Sequence, residues 1–441
     1  MQDYFYQLAD HLASLLEGNE IYTCTFAAED SDFVRFNRSA VRQAGTVMQR
    51  FLSVNLIKGM RQTSGTVSLS GALEVDRPWV TALLERLREQ LPHLPADPHL
   101  LYATEVRSSE HQGTNRLPED SGAVVAAILE AGRSRDLVGL YAAGGIYNGF
   151  ANSLGQRNWF SSYSFNFDWS FYYQGDKAVK SSYAGFVWDP AEFARKVDSA
   201  AEQLIVLARP PRTIAPGRYR VYLAPAALYE IIGLLSWGGF GLKDHRTKQT
   251  PLLKMIEEGA RLHPLVTIRE NTRDGVAPNF QEAGFIKPDQ VTLIEKGAVR
   301  DCLISPRSAK EYGVPTNGAS SGEMPESLAV TGGDLPVAEV LRGLDAGVYI
   351  NNVWYLNYSD RAACRITGLT RFATFWVEQG VIQAPLTVMR FDETLYRMLG
   401  ENLLSLTAER ELLLDPSTYH VRSTSSGRIP GALVQDFTFT L

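Results

Sequence analysis

The sequence predicts an α+β fold: an N-terminal α/β part with an antiparallel sheet and flanking helices, then a C-terminal mostly-β part forming a curved sheet or barrel-like domain. Three observations carry this expectation. Helical and period-2 apolar patterns follow one another through the first half. Two proline clusters, Arg209-Pro210-Pro211 and Ala215-Pro216-Gly217, then fall close together. Beyond Gly259, glycine punctuates the chain at Gly275, Gly284, Gly297, Gly313, Gly332-Gly333, Gly347, Gly368 and Gly380, which favours strands and turns over helices.

The elements read in order as follows. Phe5, Leu8, Leu12, Leu15 and Leu16 recur at helical spacing, so the chain opens with an amphipathic helix. Leu52, Val54 and Leu56 alternate with polar residues, as do Val67 and Leu69, and Gly45, Gly59 and Gly65 mark turns or bulges. Short connections between such runs imply antiparallel pairing with one wet face. A second helix places Val80, Leu83, Leu84, Leu87 and Leu91 inward, with Asp76 as its cap.

A further unit is expected from Leu101, with a helix around Val124 and Ile128 and a strand over residues 137–142. Tyr163, Phe165, Phe167, Trp169 and Phe171 then occupy every second position, with Ser164, Asn166, Asp168 and Ser170 between them. That is a strand with one wholly aromatic face. The face packs on a helix or forms a wall of a groove for an extended peptide, and alternation cannot separate the two. Asp189-Pro190-Ala191-Glu192 is a helix start: the aspartate caps, proline suits the first turn, and glutamate can close a capping box. The proline clusters that follow mark the boundary, giving an N-terminal domain over 1–208, a linker over 209–217 and a C-terminal domain over 218–441. After it, residues 219–223 read as a strand and residues 226–235 as a buried helix.

Composition narrows the function classes. The 441 residues suffice for two or three domains. A formal net charge of -6, with no run of Lys and Arg, argues against a nucleic-acid partner. No stretch is apolar for long enough to span a bilayer, and Met1 to Glu17 lacks the basic-then-apolar pattern of a signal peptide, so a cytoplasmic protein without a membrane partner is expected. Cys24, Cys302 and Cys364 form no CxxC pair, which fits a reducing compartment.

Catalytic signatures are sparse. Of seven histidines, none lies three to five residues from another, so no helical zinc pair exists. There is no GxSxG elbow, no phosphate-cradling glycine loop, and no cysteine beside a base.

Several segments nevertheless resemble one family in order and spacing over nearly the whole chain. They are Asn152-Ser153-Leu154-Gly155, Leu293-Ile294-Glu295-Lys296-Gly297, Thr316-Asn317-Gly318, and the run from Phe375 to Ile382 with its Glu378-Gln379-Gly380 turn. The chain is similar to the TldD/PmbA (TldD/TldE) proteins, also named for modulation of DNA gyrase. In the TldD branch the helix after the boundary carries HExxxH, whose histidines bind zinc with a later cysteine. Here the matching positions hold Tyr229, Glu230 and Leu234, and no cysteine follows Cys364.

The resemblance therefore implies the TldE/PmbA-like branch, with no metal and no catalytic residue of its own. It further implies a heterodimer with a zinc-bearing TldD-like subunit that trims unfolded peptides. The alternative is a stand-alone homodimeric peptide-binding protein. A third possibility is a metal-independent hydrolase using Glu230. Asn317, Gly318, Phe165, Phe167 and Trp169 are the candidate peptide-binding residues. The gyrase association in the family's name follows from none of these residues.

Overall fold

A computed structural model describes residues 1–175 and 177–440 of the chain. Its N-terminal half begins with α1 (Gln2–Ser14), which buries Phe5, Leu8, Ala9 and Leu12. Strands β1 (Ile21–Asn37), β2 (Ala40–Lys58) and β3 (Arg61–Ser68) follow as an antiparallel meander, with Ile21 opposite Ile57 and Phe51 opposite Ser68. Helix α2 (Leu73–Gln90) starts earlier than expected, after Ala72, so Asp76 lies inside it. Its carboxylate reaches back to accept hydrogen bonds from the Ser70 and Gly71 amides at 2.8 and 2.9 Å, and from the Tyr4 hydroxyl at 2.6 Å. The aspartate thus ties down the turn that enters the helix without occupying the cap position.

The chain continues through β4 (Ser109–Gln112), α3 (Ser121–Ala131), β5 (Asp136–Asn152), β6 (Arg157–Tyr172), β7 (Ala178–Gly185) and α4 (Pro190–Leu207). Asp189 caps α4, its carboxylate accepting from the Ala191 amide at 2.9 Å. Glu192 closes no capping box and turns instead to Arg195, at 2.7 and 2.8 Å. The strands form one seven-stranded sheet in the order β3-β2-β1-β5-β6-β4, with β7 also paired to β6. Since β5 adds directly to β1, the unit expected from Leu101 belongs to the same sheet as everything before it.

Both faces of this sheet are covered. The odd positions of β6 point toward the helices: Trp159 stacks on Phe5 and Phe26, while Phe165, Phe167 and Trp169 pack with Val124, Ile128 and Phe193. Of the two readings of the aromatic strand, the packing is that of sheet on helix. The even positions Ser162, Ser164 and Asn166 are buried as well, beneath the C-terminal half.

That half comprises β8 (Gly217–Leu223), α5 (Pro225–Gly233), β9 (Ile268–Glu270), β10 (Val291–Glu295), β11 (Ala298–Val299), β12 (Ser327–Val330), β13 (Gly347–Ile350) and β14 (Trp354–Asp360). Then follow β15 (Arg365–Leu369), β16 (Thr374–Glu378), β17 (Val381–Pro385), β18 (Arg390–Thr394), β19 (Leu403–Leu414) and β20 (Ser426–Phe439), with short helices in the connections. Thirteen strands form one sheet whose main path runs β11-β10-β9-β12-β20-β8-β13-β16-β17. The barrel-like alternative is not realised. The terminal strands β11 and β17 do not meet, and β20 branches the sheet by pairing with β12, β8, β18 and β19. The largest apolar cluster lies in this half, with α5 contributing Ala227, Leu228, Ile231 and Ile232. No helix of the described residues is long and apolar enough to cross a membrane.

The aromatic face of β6 is fully buried at Phe167, so Phe167→Ala leaves a ring-sized cavity under α4. A loss of about 3–5 kcal/mol in urea-unfolding stability is expected, against near-neutral behaviour if the ring were free to meet a ligand.

Candidate functional site

The site is built where α5 meets the N-terminal sheet. Strand β8 ends at Leu223 and Pro225 opens α5 in the first turn, where its missing N–H costs nothing. The apolar positions of α5 turn into the core, leaving Tyr229 and Glu230 on the flank toward the seam. Leu234 falls on the tighter turn Leu234–Ser236 that extends the helix and is buried in the same core.

Each of these three side chains already has a structural occupation. Tyr229 lies over Gly427 of β20, where a Cβ would sit only 2.6 Å from the ring. Burial, with Asp415 adding to it, pushes its phenol up to about 12, so the hydroxyl keeps its proton at neutral pH. The Glu230 carboxylate accepts from the Val353 amide at 2.9 Å and pairs with the Lys180 ammonium of β7 at 3.5 Å. Burial raises its pKa, while Lys180 and the Val353 amide oppose the rise. Leu234 has no donor atom to offer.

A zinc site needs about three basic donors converging on one point. Here one position is apolar, one is a protonated phenol, and the third is a carboxylate that already faces a lysine ammonium. These residues do not fit a zinc ion. Among the described residues, no group of three or more His, Cys, Asp or Glu side chains is arranged to hold a metal.

The surroundings of Glu230 come from both halves. Asn351 donates to the Lys180 carbonyl at 2.8 Å, and the Lys180 ammonium lies 5.7 Å from the centre of the Phe372 ring. Trp354 packs edge-on against Phe372 at 5.6 Å. On the polar face of β6, burial pushes Asp168 up to about 6, with Asp415 adding to the rise and Lys180 and Asn166 opposing it. Asn166 donates to the Leu414 carbonyl at 3.5 Å. The arrangement is a seam in which one cation serves two carboxyl groups.

Phe165, Phe167 and Trp169 do not reach this seam, because their rings point the other way into the core beneath α4. The structure brings their neighbour Asp168 there instead. Asn317 and Gly318 lie elsewhere in the C-terminal half. The Asn317 side chain accepts from the Ile304 amide at 2.8 Å and donates to the Cys302 carbonyl at 2.7 Å. Gly318 adopts φ +73°, and a Cβ there would come within 3.0 Å of the Ile286 carbonyl oxygen, so glycine is required. Asn317 borders a small void of about 10 Å³ together with Glu270, Lys287 and Glu326, enough for one water. Glu270 is held there by the Glu326 and Ser327 amides at 3.0 Å.

Sequence reading missed Lys180 and Asp415. Asp168 carried a signal, as the one charged residue on an otherwise Ser/Asn face.

Two tests follow from these charges. Lys180→Met removes the pull that keeps Glu230 ionised and is expected to cost on the order of 1 kcal/mol at neutral pH. The cost should shrink in acid, since a protonated carboxyl needs no cation, and adding Glu230→Gln should recover most of it in denaturant titrations. Glu270 is pushed up by burial from 4.5 to about 7, so the folded state holds its proton more tightly than the unfolded chain does. Its contribution is complete below about 4.5 and lost as pH rises through about 7. Comparing urea midpoints of wild type and Glu270→Gln across that range should show the wild type losing ground to the variant as pH rises.

Residues 216–441 match the model of the PmbA/TldA metallopeptidase C-terminal domain. No curated protein matches the chain. Among solved structures, the fold is similar to TldE from Thermococcus kodakarensis (TM-score 0.81, 13% identity, covering 99% of this chain and 100% of that one). It is also similar to a protein described as a DNA gyrase modulator from Thermotoga maritima (TM-score 0.77, 15% identity, 99% and 100% covered). A third, described in the same terms, comes from Bacteroides thetaiotaomicron (TM-score 0.72, 14% identity, 99% and 98% covered). With the family model spanning more than half the chain and the whole fold shared with these proteins, this protein belongs to the TldD/PmbA family.

Proposed function

We propose that this chain is the zinc-free subunit of a TldD/TldE-type peptidase complex, pairing with a zinc-bearing TldD-like subunit and helping to hold unfolded peptides. The observation that carries the reading is the ion pair between Lys180 and Glu230 at 3.5 Å. In the family's zinc-bearing branch the glutamate of this helix acts on a metal-activated water. Here the matching carboxylate faces an ammonium supplied by the other half of the same chain. An ammonium compensates the negative charge but supplies no Lewis acid and no bound water to deprotonate.

The neighbouring positions support the same conclusion, since Tyr229 is packed over Gly427 and Leu234 is buried. The likeness to a solved TldE fits the same branch. In this reading, residues near a peptide belong to the polar seam between the halves. The aromatic rings of β6 support that seam from behind, and Asn317 and Gly318 shape a loop of the C-terminal half.

The purified chain is expected to carry no stoichiometric zinc and to leave an unfolded peptide intact. Mixed with a TldD-like subunit, it should form a complex that cleaves the peptide in a zinc-dependent way. Metal analysis, size-exclusion chromatography and mass spectrometry of the peptide read these outcomes. Stoichiometric zinc and full activity in the isolated chain would overturn the proposal. Peptide binding by a self-associated chain that ignores every TldD-like subunit would move it to the stand-alone alternative.

A further inference from the structure

The connection between β19 and β20, residues 415–425, leaves the C-terminal sheet and lies across the polar face of the N-terminal one. Arg422 anchors it. The residue is 5% exposed, and its guanidinium donates to the Ser164 carbonyl and hydroxyl at 3.0 and 2.9 Å and to the Gly144 carbonyl at 3.3 Å. Its own backbone amide donates to the Glu29 carboxylate at 3.2 Å, and the Gln49 amide donates to the other Glu29 oxygen. The charge of Arg422 and that of Glu29 are therefore both engaged within the protein.

Beside this anchor, the connection and the sheet border an open cavity of about 320 Å³. Its floor is the sheet surface at Ala27 and Asn148, and its roof carries the hydroxyl-bearing residues Ser417, Ser423 and Thr424. The Asn148 amide nitrogen is buried and has no hydrogen-bond partner among the described residues. Among the described residues, Arg422 is the one charged residue on the cavity wall, and its hydrogen bonds run to the sheet. A lining of hydroxyls, an unengaged amide donor and no available charge suits a neutral ligand rich in amide groups. A phosphorylated or carboxylate ligand would lack a counter-charge there.

We propose that this cavity binds a short uncharged stretch of extended polypeptide, with the Asn148 amide donating to a main-chain carbonyl and Arg422 holding the roof in position. The assignment rests on the peptide-handling function proposed above and gives it a location. The volume accommodates a few small residues, and the small side chain of Ala27 lets a backbone approach the sheet closely. Arg422 is a positioning residue: it acts on the ligand through the connection it pins.

The test is fluorescence anisotropy with the full chain and a capped, amidated, dye-labelled octapeptide of Gly, Ala, Ser and Asn. The same peptide carrying glutamates serves as the charged comparison. Wild type should bind the neutral peptide saturably and the charged one more weakly. Asn148→Leu, which removes the donor, and Ala27→Trp, which fills the cavity, should each weaken binding by about tenfold or more. Ile205→Ser, on the exposed flank of α4, should leave binding unchanged, and thermal melts confirm that each variant is folded. Saturable binding that survives both cavity substitutions would overturn this site while leaving the peptide reading intact. Preference for the charged peptide would overturn the neutral-ligand assignment. Absence of binding to wild type, alone and with a TldD-like subunit, would overturn both proposals.

Discussion

A strand with two unlike faces, both buried, is the constraint from which the architecture follows. The odd side of β6 is aromatic and satisfied by helices, as any amphipathic strand would be. The even side carries Ser162, Ser164, Asn166 and Asp168, and whatever covers it must supply hydrogen-bond partners and charge compensation. The C-terminal half meets that demand with the Leu414 carbonyl on Asn166 and Arg422 on Ser164, and β7 of the same sheet supplies Lys180 near Asp168. Polar matching along this seam joins the two sheets, with apolar contact beside it. Apolar contacts lie at Phe150, Phe160 and Phe280, and again where Ala373 and Phe375 join the aromatic cluster of β6 and α4.

The same demand falls on Glu230 of helix α5. A half-buried carboxylate must be protonated, paired or bound to a cation. Lys180 and the Val353 amide provide the second solution. Tyr229 and Leu234 are free to serve packing, one against the bare backbone at Gly427 and the other inside the main core. The helix thereby docks the two halves through the Lys180–Glu230 pair.

Local chemistry was legible in the sequence where one element decided it. The alternation over residues 163–171, the Asp189-Pro190 helix start and the apolar stripes of α1, α2 and α5 all carry periodicities or caps that need no distant partner. Tyr229, Glu230 and Leu234 were singled out by the resemblance to the family rather than by any local pattern. What stayed hidden depends on residues far apart in the chain. Lys180 meets Glu230 only because β7 is laid against the connection between β13 and β14, where Asn351 donates to the Lys180 carbonyl, and no local pattern marks that lysine. The joining of β5 to β1 was equally hidden, since a glycine-rich strand such as Gly139–Gly149 signals neither its neighbour nor its register. Asp76 shows a smaller failure of the same kind: the aspartate was the right residue for the turn, but its reach backwards placed the helix start four residues earlier.

The pairing of β20 has a consequence for how the protein is made. Leu223 near the middle of the chain pairs with Ala432 near its end, and Ser327 pairs with Ser426. While the chain is being synthesised, β8 and β12 must therefore wait with open edges until residues 426–439 emerge. Arg422 arrives just as late, so the polar floor it fills stays open to solvent until then. Such long-range closure is slow, and in the interval the strands of the N-terminal sheet, all of which precede residue 186, can already pair with one another.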